Sequence, residues 1–325
     1  MMDPERNEIL CQPFDSRRSS STTDLGSSDD VCRIDLHCHS TFSDERIRFL
    51  PGIVFHPVST PIEAYRLAKR RGMHFVTITD HDTIDGCKAL LDECGPLDDF
   101  IVGEEVSVAF PEDRTVIHVN VFDHDEAQHR ELQRLRGNLY DVVAYLREID
   151  KLFVMNHLTW TQQHRVLKRW QIEKILELFD VFEGLNGTRS YVHNAFAWRA
   201  TRGLNKVLVA GSDSHTTRMG MTYTRTRGRT RADVISAIRA GQAEMCGQFG
   251  TPESLNEDIW AVISANAERV LENERKGWKR WGTRMVRQVG ARVYPLASLG
   301  YHKRQNTLLA QFTDSLPLLP CPTVS

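Results

Sequence analysis

Two histidines one residue apart, followed by an aspartate, stand out in the stretch RIDLHCHSTFSD at residues 33–44. In a strand, side chains two positions apart share a face, so His37 and His39 would point one way while Ile34 and Leu36 point the other. Imidazole nitrogens held side by side at a strand end suit a transition metal ion. A polar strand edge would give the same local pattern, and this fragment alone does not separate the two interpretations.

Other metal-ligating residue types also accompany short apolar runs. They are His81 in HFVTITDH, Glu105 in FIVGEE, His118 in TVIHVNVF, His157 in LFVMNH, and Asp213 and His215 in VLVAGSDSH. One strand histidine is usually a hydrogen-bonded core residue, but that interpretation does not explain a whole set at strand ends. In a parallel barrel the carboxyl ends of the strands meet on one face. We therefore expect these side chains to form one site.

The elements that must position this set alternate between strand and helix. Short β-rich runs and helical stretches succeed one another from Val31 to about Gly250, including a long helical segment at about 126–149. Such alternation predicts an α/β fold with a parallel sheet and helical crossovers, and at this length a closed barrel.

Composition restricts the class of protein. The 325 residues are 41% hydrophobic and 26% charged with a net charge of -2, which is typical of a globular protein and disfavours a wholesale nucleic-acid binder. Seven scattered cysteines without a CxxC pair indicate neither a disulfide framework nor a zinc ribbon. No apolar run approaches the roughly 18 residues of a spanning helix, and residues 1–30 do not resemble a signal peptide. We expect a reducing, cytoplasmic location.

Three segments are predicted along the chain. Residues 1–31 are rich in Ser, Asp and Arg and are predicted to be a disordered tail, residues 32–250 are predicted to form the domain that carries the site, and residues 251–325 are predicted to form a mainly helical, basic extension.

Six short segments resemble, in order along the chain, the motifs of the PHP (polymerase and histidinol phosphatase) family. They are HCHSTFSD, TDHDTIDG, GEEVS, IHV, NH and GSDSH. The likeness spans about residues 32–250 and is to the stand-alone metal-dependent phosphoesterases. It implies a distorted seven-stranded (β/α)7 barrel, similar to a TIM barrel, with a trinuclear metal centre. By that likeness the first metal takes His37, His39, Glu105 and Asp213; the second shares Glu105 and adds His118 and His157; the third takes Asp44, His81 and His215. Glu104 is the reserve choice for Glu105.

A phosphoester substrate fits the charge of such a centre. Three divalent cations carry six positive charges and three carboxylates cancel three, so the pocket attracts a phosphate dianion. A water that bridges the metals becomes a hydroxide and attacks phosphorus. The resemblance thus implies hydrolysis of a small phosphomonoester or of a nucleotide or oligonucleotide end, with Asp213, His215 and Asp44 as catalytic residues. Two to three ions of Mn, Zn or Fe suit the mixed nitrogen and oxygen ligands.

Supporting residues are predicted around the ligands. Asp35, Asp80 and Asp82 are candidates to accept the spare N–H of a metal-bound imidazole. Candidates for substrate contact are Asn156, Asn186, Arg189, Arg218 and Arg225. Each also has an ordinary structural interpretation, as a turn residue or a solvated surface charge.

Two features depart from the family pattern. An insert follows Asp44, beside the implied third metal, and consists of residues 45–59, ERIRFLPGIVFHPVS. Relatives that act on nucleotides commonly carry a sizeable helical insertion after the strand of His118, and here only about one long helix fits before Leu152. That shortage weakens a nucleotide assignment.

The extension contains a basic amphipathic stretch at residues 275–304, with nine Lys or Arg and no acidic residue. It fits an anionic membrane surface or nucleic acid, and it also fits a helix that packs on the barrel with a solvated basic face.

Two functions from other classes compete with the phosphoesterase. One is a PHP-like module that has lost catalysis and binds a ligand or partner, although the ligand set is intact. The other is an amidohydrolase-type barrel that cleaves C–N bonds, which also uses an HxH strand; Glu105 and the SDSH histidine favour the phosphoesterase.

Overall fold

The structure is a computed structural model, and it describes residues 25, 29–46, 54–163, 166–273 and 307. The strands are β1 (Val31–Asp35), β2 (Glu45–Arg46), β3 (Val54–Phe55), β4 (Phe75–Ile78), β5 (Phe100–Ala109), β6 (Val116–Phe122), β7 (Leu152–Met155), β8 (Val181–Asn186), β9 (Val207–Gly211), β10 (Thr222–Arg227) and β11 (Ala243–Gly247). The helices are α1 (Pro61–Arg70), α2 (Asp85–Cys94), α3 (Glu126–Leu135), α4 (Leu139–Glu148), α5 (Arg169–Leu178), α6 (Tyr191–Thr201), α7 (Arg231–Arg239) and α8 (Pro252–Asn273).

The main sheet has nine strands in the order β11-β10-β1-β4-β5-β6-β7-β8-β9. Its two end strands, β9 and β11, pack against each other, so the sheet is nearly closed into a barrel. The predicted α/β barrel-like class is confirmed, but the seven-strand count is not. The predicted parallel sheet is found only in part, because β6 and β10 run antiparallel to both of their neighbours.

Local sequence explains how the helices begin. Thr60 caps α1 by accepting a hydrogen bond from the Glu63 backbone, Glu63 reaches back to the Thr60 backbone, and Pro61 fills the first turn. The long helix predicted at about 126–149 is instead two helices, α3 and α4. Asn138 separates them, because its side chain accepts a hydrogen bond from Tyr140 N–H and starts the second helix.

Alternating side chains of β5 point into two different layers. Ile101 belongs to the apolar cluster that it shares with β7, β8 and β9 inside the barrel. Val106 and Val108, on the other face, belong to the cluster formed with α4 and α5 outside it. Glu105 is an even number of positions from Ile101, so it points into the barrel, and Glu104 points to the outer layer.

The insert and the start of the extension pack against each other. β2 and β3 form a small antiparallel hairpin within the insert. Asn266 of α8 accepts a hydrogen bond from His56 N–H and donates one to its carbonyl oxygen. Leu25, in the predicted tail, is buried and donates its N–H to Glu244. The basic stretch 275–304 and most of residues 1–31 lie outside the described residues. Within the described part of the chain, no helix is both long and apolar enough to cross a membrane.

Candidate metal centre

The loops after β1 and β9 bring the first group of predicted ligands together. Cys38 bridges Ser214 between these loops, and the Asp213 N–H donates to the His37 carbonyl oxygen at 2.6 Å. Gly211 permits this approach, since a Cβ there would lie 2.4 Å from His37 Cβ. Asp213 itself has a φ of 50°, a left-handed backbone conformation that non-glycine residues adopt mainly at constrained or functional positions.

Four donor atoms converge at this point. His37 Nε2 lies 3.2 Å from Glu105 Oε2 and 3.5 Å from Asp213 Oδ1. His39 Nε2 lies 3.3 Å and 3.4 Å from the same two oxygens. Two ligands of a tetrahedral zinc ion with bonds of about 2.1 Å are separated by about 3.4 Å. The four atoms therefore have the spacing of a metal coordination shell.

The other oxygen of Glu105 contacts a second pair of imidazoles. His118 Nδ1 lies 3.0 Å and His157 Nε2 lies 3.1 Å from Glu105 Oε1. His118 lies in β6, which is antiparallel to its neighbours, so its position near the start of the strand is at the same rim as the ends of the parallel strands. One carboxylate is thus placed to bridge two groups of imidazoles.

His81 and His215 complete the cluster. His81 Nδ1 lies 3.1 Å from Glu105 Oε2. One ring nitrogen of His81 and one of His215 lie within 4.8 Å of a ring nitrogen of His39. Eight of the nine predicted ligands therefore meet. The ninth, Asp44, is in none of the donor groups found in the described residues. Its side chain is 59% exposed and pairs with His56 Nδ1 at 3.4 Å.

Burial and charge oppose each other in this cluster. Burial alone raises the pKa of the Glu105 carboxyl, but His37, His81 and His118 together hold it well below its usual range. Asp213 shows the same opposition, with His37 and His39 lowering its pKa. Burial lowers the pKa of His118 to about 4. The carboxylates are ionised and His118 is neutral near pH 7, which are the protonation states that bind metals.

Several of these buried donor atoms lie close to one another but make no well-oriented hydrogen bond within the described part of the chain. His37 Nε2, His39 Nε2, His118 Nε2 and Glu105 Oε2 have no such hydrogen bond. Unsatisfied buried polar atoms are costly, and a metal ion would satisfy nitrogen and oxygen lone pairs of this kind. The residues present therefore fit divalent metal ions.

Glu183 is a site residue that the sequence reasoning missed. Its Oε1 accepts a hydrogen bond from His37 Nδ1 at 2.8 Å, and its Oε2 accepts one from His157 N–H at 2.9 Å. With Nδ1 directed at Glu183, Nε2 is the His37 nitrogen that faces Glu105 and Asp213 and that can bind a metal once it has lost its proton. The only available signal was a glutamate within the apolar run DVFEGLN, where all six residues of β8 are buried.

The predicted supporting aspartates lie elsewhere than expected. Asp35 accepts backbone N–H groups of His37, Ser212 and Gly220, so it shapes the loops without touching an imidazole nitrogen. Asp80 accepts hydrogen bonds from the Ser40 backbone and hydroxyl. Asp82 accepts from Ser107 N–H and pairs with Arg136.

The predicted substrate contacts divide into two groups. Asn156 and Asn186 donate to Glu105 and Asp213, at 2.8 and 3.1 Å, and so belong to the cluster. Arg189 lies over the Trp160 ring, with Nη2 3.7 Å from Asp213 Oδ2. The remaining two arginines are engaged outside the cluster: Arg218 pairs with Glu257 and Asp258 of α8, and Arg225 pairs with Glu244.

Part of the chain that carries this cluster matches a known protein family. A family model described as PHP-associated matches residues 192–243, a range that contains Asp213 and His215. This match supports the resemblance to the PHP family that the sequence motifs indicate. No curated protein matches the chain significantly.

Solved structures were compared with the fold of this chain, and one of them supports it. A two-domain protein from Bacteroides vulgatus, containing a predicted PHP-like metal-dependent phosphoesterase, is 16% identical with a TM-score of 0.50, over 73% of this chain and 72% of that one. PsfC from Pseudomonas syringae is 14% identical over 74% and 99% of the two chains, with a TM-score of 0.47. An amidohydrolase from Chromobacterium violaceum is 17% identical over 69% and 96%, with a TM-score of 0.45. The first likeness supports the fold; we draw no conclusion from the other two.

Proposed function

We propose that this protein is a metal-dependent phosphoesterase of the PHP family that hydrolyses a small phosphomonoester or nucleotide-type phosphoester. The observation that carries the proposal is the four-atom shell of His37, His39, Glu105 and Asp213, with separations of 3.2 to 3.5 Å. The side chains of the cluster would hold two to three divalent ions of Mn, Zn or Fe, which would activate a water as the nucleophile and neutralise phosphate charge when bound.

The charge of the cluster favours a phosphate. Glu105, Asp213 and Glu183 contribute three negative charges, whereas two divalent ions would contribute four positive ones, and metal-bound neutral imidazoles add none. The loaded pocket is therefore cationic and attracts a phosphate dianion. This arrangement supports a phosphoester over a neutral amide substrate.

The protein's own side chains orient the reacting groups. Asn186 and Thr188 donate hydrogen bonds to Asp213 Oδ2 at 3.1 and 2.9 Å, which leaves Oδ1 directed at His37 and His39. Glu183 accepts a hydrogen bond from His37 Nδ1, so Nε2 is the nitrogen directed at Glu105 and Asp213. We propose that Asp213 and His215 are catalytic residues that hold the metal ions at the reacting phosphate. We also propose that Arg189, which lies over the Trp160 ring, contacts the substrate phosphate.

Asp44 was predicted as both a ligand and a catalytic residue. Its exposure and its pairing with His56 do not support either role in this geometry, and we leave it out of the proposed ligand set. A third metal would then be held by His81 and His215, which lie beside His39 of the four-atom shell. We further propose that residues 32–250 form the catalytic domain, that residues 1–31 are a tail, that residues 251–325 are an extension, and that the protein is cytoplasmic.

An assay panel tests the proposal. The metal-stripped protein is reconstituted with Mn²⁺ or Zn²⁺ and given p-nitrophenyl phosphate, bis(p-nitrophenyl) phosphate and a p-nitroanilide. We expect turnover that requires metal and is fastest with the monoester. Faster anilide cleavage would assign the amidohydrolase chemistry instead, and metal binding without any turnover would identify a binding module.

A further inference from the structure

A second group of metal-ligating side chains lies on the outer face of β5. Glu104 precedes Glu105 in this strand, so the two carboxylates point to opposite faces of the sheet. Glu104 is completely buried. A buried carboxylate needs strong partners, because its desolvation is costly.

Those partners are two imidazoles and an amide. Glu104 Oε2 lies 3.0 Å from His124 Nε2 and 2.8 Å from His129 Nδ1. Gln133, one turn after His129 on α3, donates its amide N–H to Glu104 Oε1 at 2.6 Å. His124 follows directly after β6. The group therefore joins β5, the end of β6 and the first turns of α3.

We propose that Glu104, His124 and His129 form a separate zinc-type cation site, with water as the remaining ligand. The three donor atoms lie within 4.8 Å of one another. Two imidazole nitrogens and one carboxylate oxygen are a donor set that suits Zn²⁺, and three protein ligands leave one tetrahedral position open. Gln133 holds the other oxygen of Glu104, which fixes Oε2 toward the two imidazoles.

The surroundings allow an ion to enter. The His129 side chain is 17% exposed, whereas those of Glu104 and His124 are fully buried. The opening is therefore on the α3 side, away from the central cluster. An ion bound here would fasten α3 to the barrel and would stabilise the fold rather than take part in hydrolysis.

A hydrogen-bonded network without metal would use the same three side chains. Each neutral imidazole would then direct an N–H at Glu104 Oε2. Substitutions that keep an N–H donor at each position distinguish a metal site from a metal-free network. In His129→Asn the amide nitrogen lies near the position of His129 Nδ1. In His124→Gln it lies near the position of His124 Nε2. Both amides can donate to Glu104, but both are poor zinc ligands.

Zinc binding by the full chain provides the test. Three proteins are dialysed against buffered Zn²⁺: the wild type, His129→Asn, and the double variant that carries both His129→Asn and His124→Gln. The zinc bound per chain is then measured by plasma mass spectrometry. Thermal unfolding is followed with and without Zn²⁺. We expect both variants to bind one ion fewer per chain than wild type and to show a smaller Zn²⁺-induced rise in Tm.

Two controls make the result specific. His74→Asn changes a surface histidine whose Nδ1 accepts the Arg33 N–H, and it should leave the zinc count unchanged. Asp213→Asn weakens the central cluster, so any zinc that it retains should drop by one ion when His129→Asn is added. The proposal is overturned if His129→Asn, alone and in the Asp213→Asn background, binds as much zinc as its parent. The single variant at this partly exposed position gives the answer if the double variant does not fold.

Discussion

Replacing Glu183 by glutamine should weaken metal binding at the central cluster without removing any ligand. The carboxylate accepts three hydrogen bonds: from His37 Nδ1 at 2.8 Å, from His157 N–H at 2.9 Å and from the Asn186 amide at 2.8 Å. In glutamine one oxygen becomes an amide NH₂ group. If that group faces His157 and Asn186, two buried donors lose their acceptor; if it faces His37, only one does.

The second orientation is therefore the cheaper one, because each unsatisfied buried donor costs about 1–3 kcal/mol. In that orientation the amide donates to His37 Nδ1, so the His37 proton moves to Nε2. Nε2 is the atom that lies 3.2 Å from Glu105 Oε2, and it must lose its proton before it can bind a metal. Loss of such a supporting hydrogen bond typically lowers metal affinity about 10- to 100-fold, or about 1.4–2.7 kcal/mol.

Competition with a chromophoric chelator measures the affinity of Glu183→Gln for Zn²⁺ and Mn²⁺. Glu177→Gln is the matched control, since Glu177 is exposed on α5 and pairs only with Lys174 among the ion pairs of the described residues. We expect Glu177→Gln to bind as wild type does. An affinity of Glu183→Gln within about two-fold of wild type would refute the role given to Glu183, because an effect that small is far below the range for lost supporting contacts.

Three further outcomes are expected. Asp213→Asn should lose both bound metal and turnover, whereas Asp180→Asn, at an exposed position directly before β8, should lose neither; retained activity in the first would contradict the assignment. Asp44→Ala should change metal affinity by about five-fold at most, because an exposed ion pair is worth up to ~1 kcal/mol, and a loss as large as that of Asp213→Asn would restore Asp44 as a ligand. In the metal-free protein, burial lowers the pKa of His118 to about 4, so the folded state resists protonation of this imidazole. The free energy of unfolding should therefore fall as the pH drops from about 6.5 toward about 4. Urea unfolding of His118→Gln should lack this part of the pH dependence.

The residues of the central cluster were predictable because side chains of metal-ligating types interrupt apolar runs. His37, His39 and Asp213 each follow a strand whose buried residues are unambiguous, and the chain has no other reason to place polar groups there. The strand direction was not predictable. The apolar alternation of β6 is the same whether the strand runs parallel or antiparallel, since both have a two-residue period. His118 was thus assigned to the correct rim although the strand direction was wrong.

Supporting residues were harder to predict than ligands, for a physical reason. Asp35 was expected to contact an imidazole because it shares a face with His37 in an extended chain. In the structure its carboxylate instead accepts three backbone N–H groups from loops that only the closed barrel brings together. Glu183 takes the expected role from a strand 146 positions away in sequence. Periodicity reveals the face of a residue, but not which distant loop lies opposite that face.

The adjacent glutamates of β5 show how closely the two clusters depend on strand register. Glu105 pairs with Asn120 and Ser107 pairs with His118 across the β5–β6 hairpin, and this register directs Glu105 inward and Glu104 outward. A slip of one residue would exchange the two faces. Glu104 would then enter the central cluster and leave His124 and His129 without their carboxylate, while Glu105 would face the outer apolar layer. Neither carboxylate is therefore an interchangeable substitute for the other, and the Glu104 cluster holds α3 against the hairpin that fixes the position of Glu105.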